Sequence, residues 1–307
     1  MRNKFIPIAA AVLLTAALTT GTAHAQGNAG QAGSETCRGC HEELFFRYEK
    51  NVHSGTGAQK RLPGRIGCES CHGAGAAHAE DPSVKTGLIP FTPGDESQSI
   101  KACLACHVAD RMVGGFERAS HGRHRVACHS CHASPHADTS REPRRDLVYG
   151  GEMAPGIGSN LKRDGVELCL ECHAEQRGRF SMPYRHPVTE RAVACVSCHN
   201  PHKDQDSNAR RRNSLCLSCH EDKRGPWPYE HAPVAEDCTS CHEVHGSVSP
   251  GLLKTAQPFL CLSCHSLSDD RHGAEIGGTQ FSSAIYGRCT SCHGAIHGSH
   301  EDRHLKK

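Results

Sequence analysis

Only one stretch of this chain is continuously apolar. Residues 5–18 form a short hydrophobic run, preceded by Arg2 and Lys4 and followed by Ala23-His24-Ala25. A positive start, an apolar centre and a small-x-small close are the parts of a secretory signal, so residues 1–25 are expected to be cleaved and the mature chain to begin at Gln26. The run is shorter than the roughly 20 residues a membrane-spanning helix needs, and no second one follows. An exported, soluble chain is expected. Beyond residue 25 the apolar positions come in short pieces. Segments such as 166–172 and 214–221 predict short helices, and almost no strand is expected. The Gly/Pro-rich stretches 81–97 and 141–160 predict surface loops.

Apolar residues make up 36 % of the chain and aromatic residues 5 %, so the side chains alone offer a poor core. Disorder is one reading of that deficit; a bound apolar cofactor that completes the core is the other, and the cysteines decide between them. Without Arg2 and Lys4, 33 basic residues balance 33 acidic ones, which gives no electrostatic reason to expect a nucleic-acid partner. The Arg210-Arg211-Arg212 run reads as a solvated loop.

Twenty cysteines in an exported chain first suggest disulfides. Their spacing rejects that, because every cysteine belongs to a C-x-x-C pair followed at once by histidine. The first five motifs are Cys37/Cys40-His41, Cys68/Cys71-His72, Cys103/Cys106-His107, Cys128/Cys131-His132 and Cys169/Cys172-His173. The second five are Cys195/Cys198-His199, Cys216/Cys219-His220, Cys238/Cys241-His242, Cys261/Cys264-His265 and Cys289/Cys292-His293. C-x-x-C-H is the attachment signature of c-type haem. Two nearby thiols add to the vinyl groups on one porphyrin edge, and the next histidine binds the iron from one face. Zinc knuckles do not require a histidine after each pair. Ten covalently bound haems c are therefore expected.

The second iron ligand sets the chemistry. Of 25 histidines, ten are proximal and His24 leaves with the signal. Met112, Met153 and Met182 are too few to serve ten irons. The remaining histidines expose a repeat of five two-haem units, each with a lone histidine between its motifs and another close behind the second. The spare pairs are His53 and His78, His121 and His136, His186 and His202, His231 and His245, and His272 and His297. Ten candidates meet ten vacant positions. His124 and His129 read as bystanders and His300 and His304 as surface residues, with His300 a competitor of His297. A histidine three residues after a proximal one, such as His202 or His245, cannot easily round the same ring, so these two are expected to serve neighbouring haems. Which distal histidine serves which iron is open. Saturated, crowded, all-histidine haems suit low-potential electron transfer rather than catalysis. Trp227, Tyr229 and Phe259 are read as haem-packing residues.

The chain resembles the periplasmic decahaem cytochromes of the MtrA/DmsE family. Beyond the motifs, the likeness rests on Cys68-Glu69-Ser70-Cys71-His72-Gly73, His186-Pro187-Val188, Lys223-Arg224-Gly225-Pro226, Glu230-His231-Ala232-Pro233-Val234, His245-Gly246-Ser247 and the closing Cys289-Thr290-Ser291-Cys292-His293-Gly294-Ala295-Ile296-His297. The resemblance implies a multihaem cytochrome c fold, mostly irregular with short α-helices and little or no strand. It implies an elongated haem wire built as two five-haem halves, 36–188 and 189–300. Residues 26–35 would be a flexible start and 301–307 a polar tail. It also implies partners: an outer-membrane β-barrel porin that sheathes the wire, a periplasmic or inner-membrane quinol-linked electron donor, and an extracellular cytochrome or reductase. Such proteins serve extracellular electron transfer. A soluble periplasmic shuttle and a multihaem reductase of nitrogen oxides or oxyanions are the alternatives. The second needs an open iron, whereas all ten proximal positions here are histidine, so an electron carrier rather than an enzyme is expected.

Overall fold

The computed structural model describes residues 30–54, 66–111, 113–136, 161–204, 208–266, 275–276, 279–280 and 287–306. Its recurring element is one helical turn at each C-x-x-C-H motif. In nine motifs outside the long helix Glu96–His107, the histidine N–H donates to the carbonyl of the first cysteine, at 2.9–3.1 Å. That i to i+4 bond brings the first cysteine and the histidine onto one face. Most helices are little longer than the turn, as in Glu69–His72, Cys128–Cys131 and Phe259–Leu262, and at Cys195–Ser197, Cys238–Ser240 and Cys289–Ser291 the turn is a 3₁₀ helix.

Where a helix is longer, a polar cap starts it upstream. The Asp164 carboxylate accepts the Val166 and Glu167 N–H groups and opens Gly165–Cys172, which agrees with the expected 166–172. The helix expected over 214–221 lies instead at Ala209–Cys216. Asn208 caps it through the Arg210 N–H, at 3.0 Å. Ser218 ends it by turning its hydroxyl onto the Leu215 carbonyl, at 2.7 Å, the local competition that makes serine a poor helix-interior residue. The run Arg210-Arg211-Arg212 is accordingly helix rather than loop, and Arg212 is half-buried against Asp237 at 2.6 Å.

Polar side chains tie the two motifs of a unit together. Asn213, buried on this helix, accepts the Cys238 N–H at 2.9 Å and donates to Ala235 O. Gln257 accepts the Thr290 N–H at 3.1 Å, and Ser34 accepts the Cys68 N–H at 3.1 Å. Glu69 accepts the N–H groups of Ala32, Gly33 and Gly75 at 2.8–2.9 Å. Burial pushes the Glu69 carboxyl up, but those three donors outweigh it and hold it below the usual carboxylate range. The stretch 26–35, expected to be flexible, is thus anchored from Ala32 onward.

Different contacts join one unit to the next. Tyr184 and Ser247 exchange backbone hydrogen bonds at 3.2 and 2.8 Å, and Tyr229 and Ser299 do so at 3.0 and 2.9 Å. Arg123 pairs with Asp204 at 2.8 Å and Arg179 with Glu243 at 3.1 Å. Gly246 follows the second spare histidine of its unit and Gly298 stands in the same place one unit later. A Cβ on Gly246 would overlap the Arg179 carbonyl, and one on Gly298 the Trp227 ring. The described strands are the antiparallel pair Glu275–Ile276 and Thr279–Gln280, in register Glu275 to Gln280.

Side-chain cores are small. One cluster holds Ile100, Phe116 and Ala127, and the other Val166, Leu170, Phe180 and Val188. The largest fully buried side chains among the described residues are Ser54 and Ser99, so what surrounds the motifs is not a conventional interior. The 81–97 stretch is largely exposed turn up to Asp95, folded back so that the Ile89 N–H reaches the His72 carbonyl at 2.8 Å. Residues 1–25 and 141–160 lie outside the described residues.

Candidate functional site

No disulfide joins the twenty cysteines, and they meet in a fixed order. Within each unit the first cysteine of one motif contacts the first of the next: Cys37 with Cys68, Cys103 with Cys128, Cys169 with Cys195, Cys216 with Cys238 and Cys261 with Cys289. Between units the second cysteines lie close enough to interact: Cys71 with Cys106, Cys131 with Cys172, Cys198 with Cys219 and Cys241 with Cys264. Nine such links run through the ten motifs in sequence order.

The histidines form the second pattern. Nine motif imidazoles each face one other imidazole, with ring centres 5.9–6.4 Å apart. The pairs are His41 with His78, His72 with His136, His107 with His53, His132 with His202 and His173 with His121. Further along they are His199 with His245, His220 with His186, His242 with His297 and His265 with His231. An imidazole nitrogen binds a transition metal at about 2 Å. Two such bonds, plus the distance from nitrogen to ring centre on each side, account for the separation.

The pairing follows a rule. The lone histidine of each unit faces the first motif of the following unit, and the trailing histidine faces the second motif of the preceding unit. His53, His121, His186 and His231 obey the first half, and His136, His202, His245 and His297 the second. His78 has no preceding unit and turns onto His41 of its own. His272, the remaining candidate, lies outside the described residues.

Several of these rings are oriented through Nδ1, which leaves Nε2 for a metal. His72 Nδ1 bonds Ile89 O at 3.1 Å, His78 bonds Val84 O at 3.0 Å and His242 bonds Gly251 O at 2.8 Å. His121 reaches Pro201 O and His186 reaches Val244 O, both at 2.8 Å and both in the next unit. His293 bonds His304 O at 2.7 Å. Burial, then the facing imidazole, pushes His53, His136, His202, His231 and His245 down. For His297 burial is followed by Lys223 and then His242. Each ring is thereby kept neutral at pH 7, with a lone pair free for a metal.

Nine of the ten motifs line one continuous cavity of about 4720 Å³; the exception is Cys37/Cys40-His41. Shared among nine, this leaves roughly 520 Å³ each, within the range of about 300–1,000 Å³ for a cofactor pocket. Among the described residues five buried side-chain polar atoms lack a hydrogen-bond partner, Gln176 Oε1, Arg185 Nε, His202 Nδ1, Trp227 Nε1 and His231 Nδ1, and all five residues line this cavity. Unpartnered buried polar atoms are costly. Their concentration here, with facing imidazoles and paired thiols at each motif, fits a large group carrying both a metal and polar substituents, as haem c does.

The bystander histidines fall outside the pairs. His124 Nδ1 bonds Ser120 O, His129 lies edge-on to Phe91, and His300 packs against Trp227 at 4.8 Å while His297 faces His242. His304 offers its carbonyl to His293. Of the three aromatics read as packing residues, Trp227 lines the cavity, whereas Tyr229 and Phe259 do not. Tyr229 is committed to its backbone ladder with Ser299, and Phe259 is 68 % exposed. The rings against the paired histidines are Tyr48, Phe91, Phe116 and Phe180. A signal for them was present: Tyr48, Phe116, Phe180 and Trp227 each stand four to six residues before the lone histidine of a unit.

Comparison with known proteins agrees with this geometry. The doubled CXXCH motif family matches residues 186–225 and 231–269, and the cytochrome c554 and c-prime family matches 80–133. Multiheme cytochrome MtrA of Shewanella baltica (strain OS185) is 32 % identical over 290 residues, covering 90 % of this chain and 81 % of that protein. C-type polyheme cytochrome OmcB of Geobacter sulfurreducens is 25 % identical over 246 residues, 64 % of this chain and 30 % of that protein. Cytochrome c-type protein NrfB of Escherichia coli O6:H1 is 30 % identical over 138 residues, 40 % of this chain and 66 % of that protein.

Proposed function

We propose that this chain, which belongs to the MtrA family of multihaem c-type cytochromes, carries electrons along ten haems across the periplasm and through an outer-membrane β-barrel, to or from an extracellular redox partner. Haem c supplies an iron that changes charge by one electron. The chain's own residues hold and order those irons. Each motif's thiols anchor one ring edge, and its histidine takes one face. The second imidazole, from a neighbouring unit in all but the terminal sites, takes the other. By the count of ten spare histidines for ten motifs, His272 would serve the tenth motif, at His293. With both faces taken by imidazole, no coordination position is open to a substrate, which favours a carrier over a reductase.

The observation that carries the reading is the unbroken order of cysteine neighbours, in contact within units and near one another between units, from Cys37/Cys68 to Cys261/Cys289. Haem edges anchored there would follow one another along the file, so that an electron could cross it without a diffusing mediator. The barrel is supported by the near full-length likeness to MtrA. It is supported also by a polar surface that lipid would not accept, which a closed barrel could sheath while satisfying its own backbone. Among the described residues no helix is long and apolar enough to cross a membrane.

The test is extraction of outer membranes in detergent, with haem counted by pyridine haemochrome. Co-purification with a β-barrel and ten haems per chain are expected. Recovery only from the soluble periplasmic fraction would remove the barrel and spare the haem wire; far fewer than ten haems would remove the wire.

A further inference from the structure

The facing imidazoles are not all arranged alike. From the second motif to the seventh, the angle between the two ring planes alternates. It is 20° at His72, 75° at His107, 12° at His132, 61° at His173, 27° at His199 and 61° at His220. Near-parallel and crossed pairs thus take turns along the file.

Two devices accompany the two arrangements. Where the planes are near-parallel, an aromatic ring from the preceding unit lies against the second imidazole. Tyr48 packs on His136 at 6.3 Å, Phe116 on His202 at 6.2 Å and Phe180 on His245 at 5.4 Å. Phe116 and Phe180 are the large buried rings of the two side-chain clusters, so what little core the described chain has is used to wedge these histidines. Where the planes are crossed, Nδ1 of the second imidazole is held by an amide or backbone carbonyl oxygen. The acceptors are Asn51 Oδ1 for His53 at 2.9 Å, Pro201 O for His121 and Val244 O for His186, both at 2.8 Å. At the near-parallel sites of this stretch, by contrast, His136 Nδ1 meets the Ser134 hydroxyl, at 3.2 Å, and His202 Nδ1 has no hydrogen-bond partner. Outside the stretch, His78 stays near-parallel with Val84 O as acceptor. The junction of the fourth and fifth units supplies an internal control. His231 lies toward the Ile296 carbonyl, the counterpart of Pro201 and Val244, but its Nδ1 closes no hydrogen bond, and its plane stays at 25° to His265.

Resting on the bis-histidine reading above, we propose that Tyr48, Phe116 and Phe180 on one side, and Asn51, Pro201 O and Val244 O on the other, are positioning groups that sort the interior irons into two alternating ligand-field classes. Parallel imidazoles both raise the same iron dπ orbital and split the pair. Crossed imidazoles raise one each and leave the two nearly equal in energy. A ferric low-spin iron then gives a rhombic electron paramagnetic resonance spectrum in the first case and a single feature at high g in the second.

The test is low-temperature electron paramagnetic resonance of the purified, oxidised holoprotein, with haem content measured on the same sample. Both signal types are expected, the high-g class including the haems at His107, His173 and His220. Phe180→Leu, which keeps the cluster apolar, is expected to take one haem's worth out of the rhombic signal without loss of haem. Tyr48→Leu, at a half-buried position, should do the same if the Phe180 variant folds poorly. A full complement of low-spin haems with only rhombic signals would overturn the alternation and leave the wire standing. A rhombic signal unmoved in both variants would overturn the role of the aromatics. A high-spin signal in the unmodified protein would instead break the bis-histidine reading itself.

Discussion

His53 sits between the first two motifs, yet its ring faces His107, in the third. A side chain that ligates an iron is chosen by where its Nε2 lies in space, and here Asn51 holds Nδ1 while burial keeps the ring neutral. The nine spare histidines that face a motif histidine could be picked out because composition left few other ligands for ten motifs. Their assignment could not be read the same way, since spacing along an irregular chain does not reveal which unit lies across the ring. This makes a clean prediction. His53→Gly is expected to leave haem content unchanged and create one high-spin haem, seen by absorption and magnetic circular dichroism. Adding Cys103→Ala and Cys106→Ala should abolish that high-spin signal, whereas adding Cys37→Ala and Cys40→Ala should leave it.

At the scale of the unit, short helical turns serve as brackets. Each positions two thiols and an imidazole, and a polar clamp such as Asn213 to Cys238 N–H sets two brackets side by side. Units are then locked together in both directions, one lone histidine reaching forward and one trailing histidine reaching back. That exchange crosses the boundary at 188/189 as well: His186 faces His220, and His202 faces His132. Close backbone approach makes it possible. Gly246→Ala would drive a methyl group into the Arg179 carbonyl, and by the usual cost of overpacking it should destabilise this junction by about 1–3 kcal/mol. Thermal unfolding of the holoprotein, with loss of the low-spin spectrum as second readout, checks this; an unchanged melting curve would show that the contact is readily relieved. Repeats that contact only their neighbours have stabilities set by such interfaces.

For the whole molecule, the small side-chain clusters and the large continuous cavity mean that haem c is the greater part of the interior. A chain of this kind couples cofactor attachment to folding. Produced without haem attachment, it is expected to lack persistent tertiary structure: far-UV circular dichroism near that of an unfolded chain and rapid proteolysis throughout, including 165–200, the best-packed region by side chains alone. A protease-resistant apo fragment there would show that the Val166/Leu170/Phe180/Val188 cluster is self-sufficient.

The sequence by itself determined the chemistry. A thiol pair with an adjacent histidine is a local arrangement that one helical turn completes, so each of the ten motifs is written within five consecutive residues. The deficit of apolar side chains and the count of spare histidines likewise follow from composition, and membership of the family from matches along most of the chain. Tertiary structure alone decided which imidazoles face each other, that the motifs follow one another in file, and how the ring planes lie. Those depend on contacts between residues tens of positions apart. There an Nδ1 hydrogen bond to one backbone carbonyl, or the edge of one phenylalanine, selects among orientations that the local sequence leaves equally open.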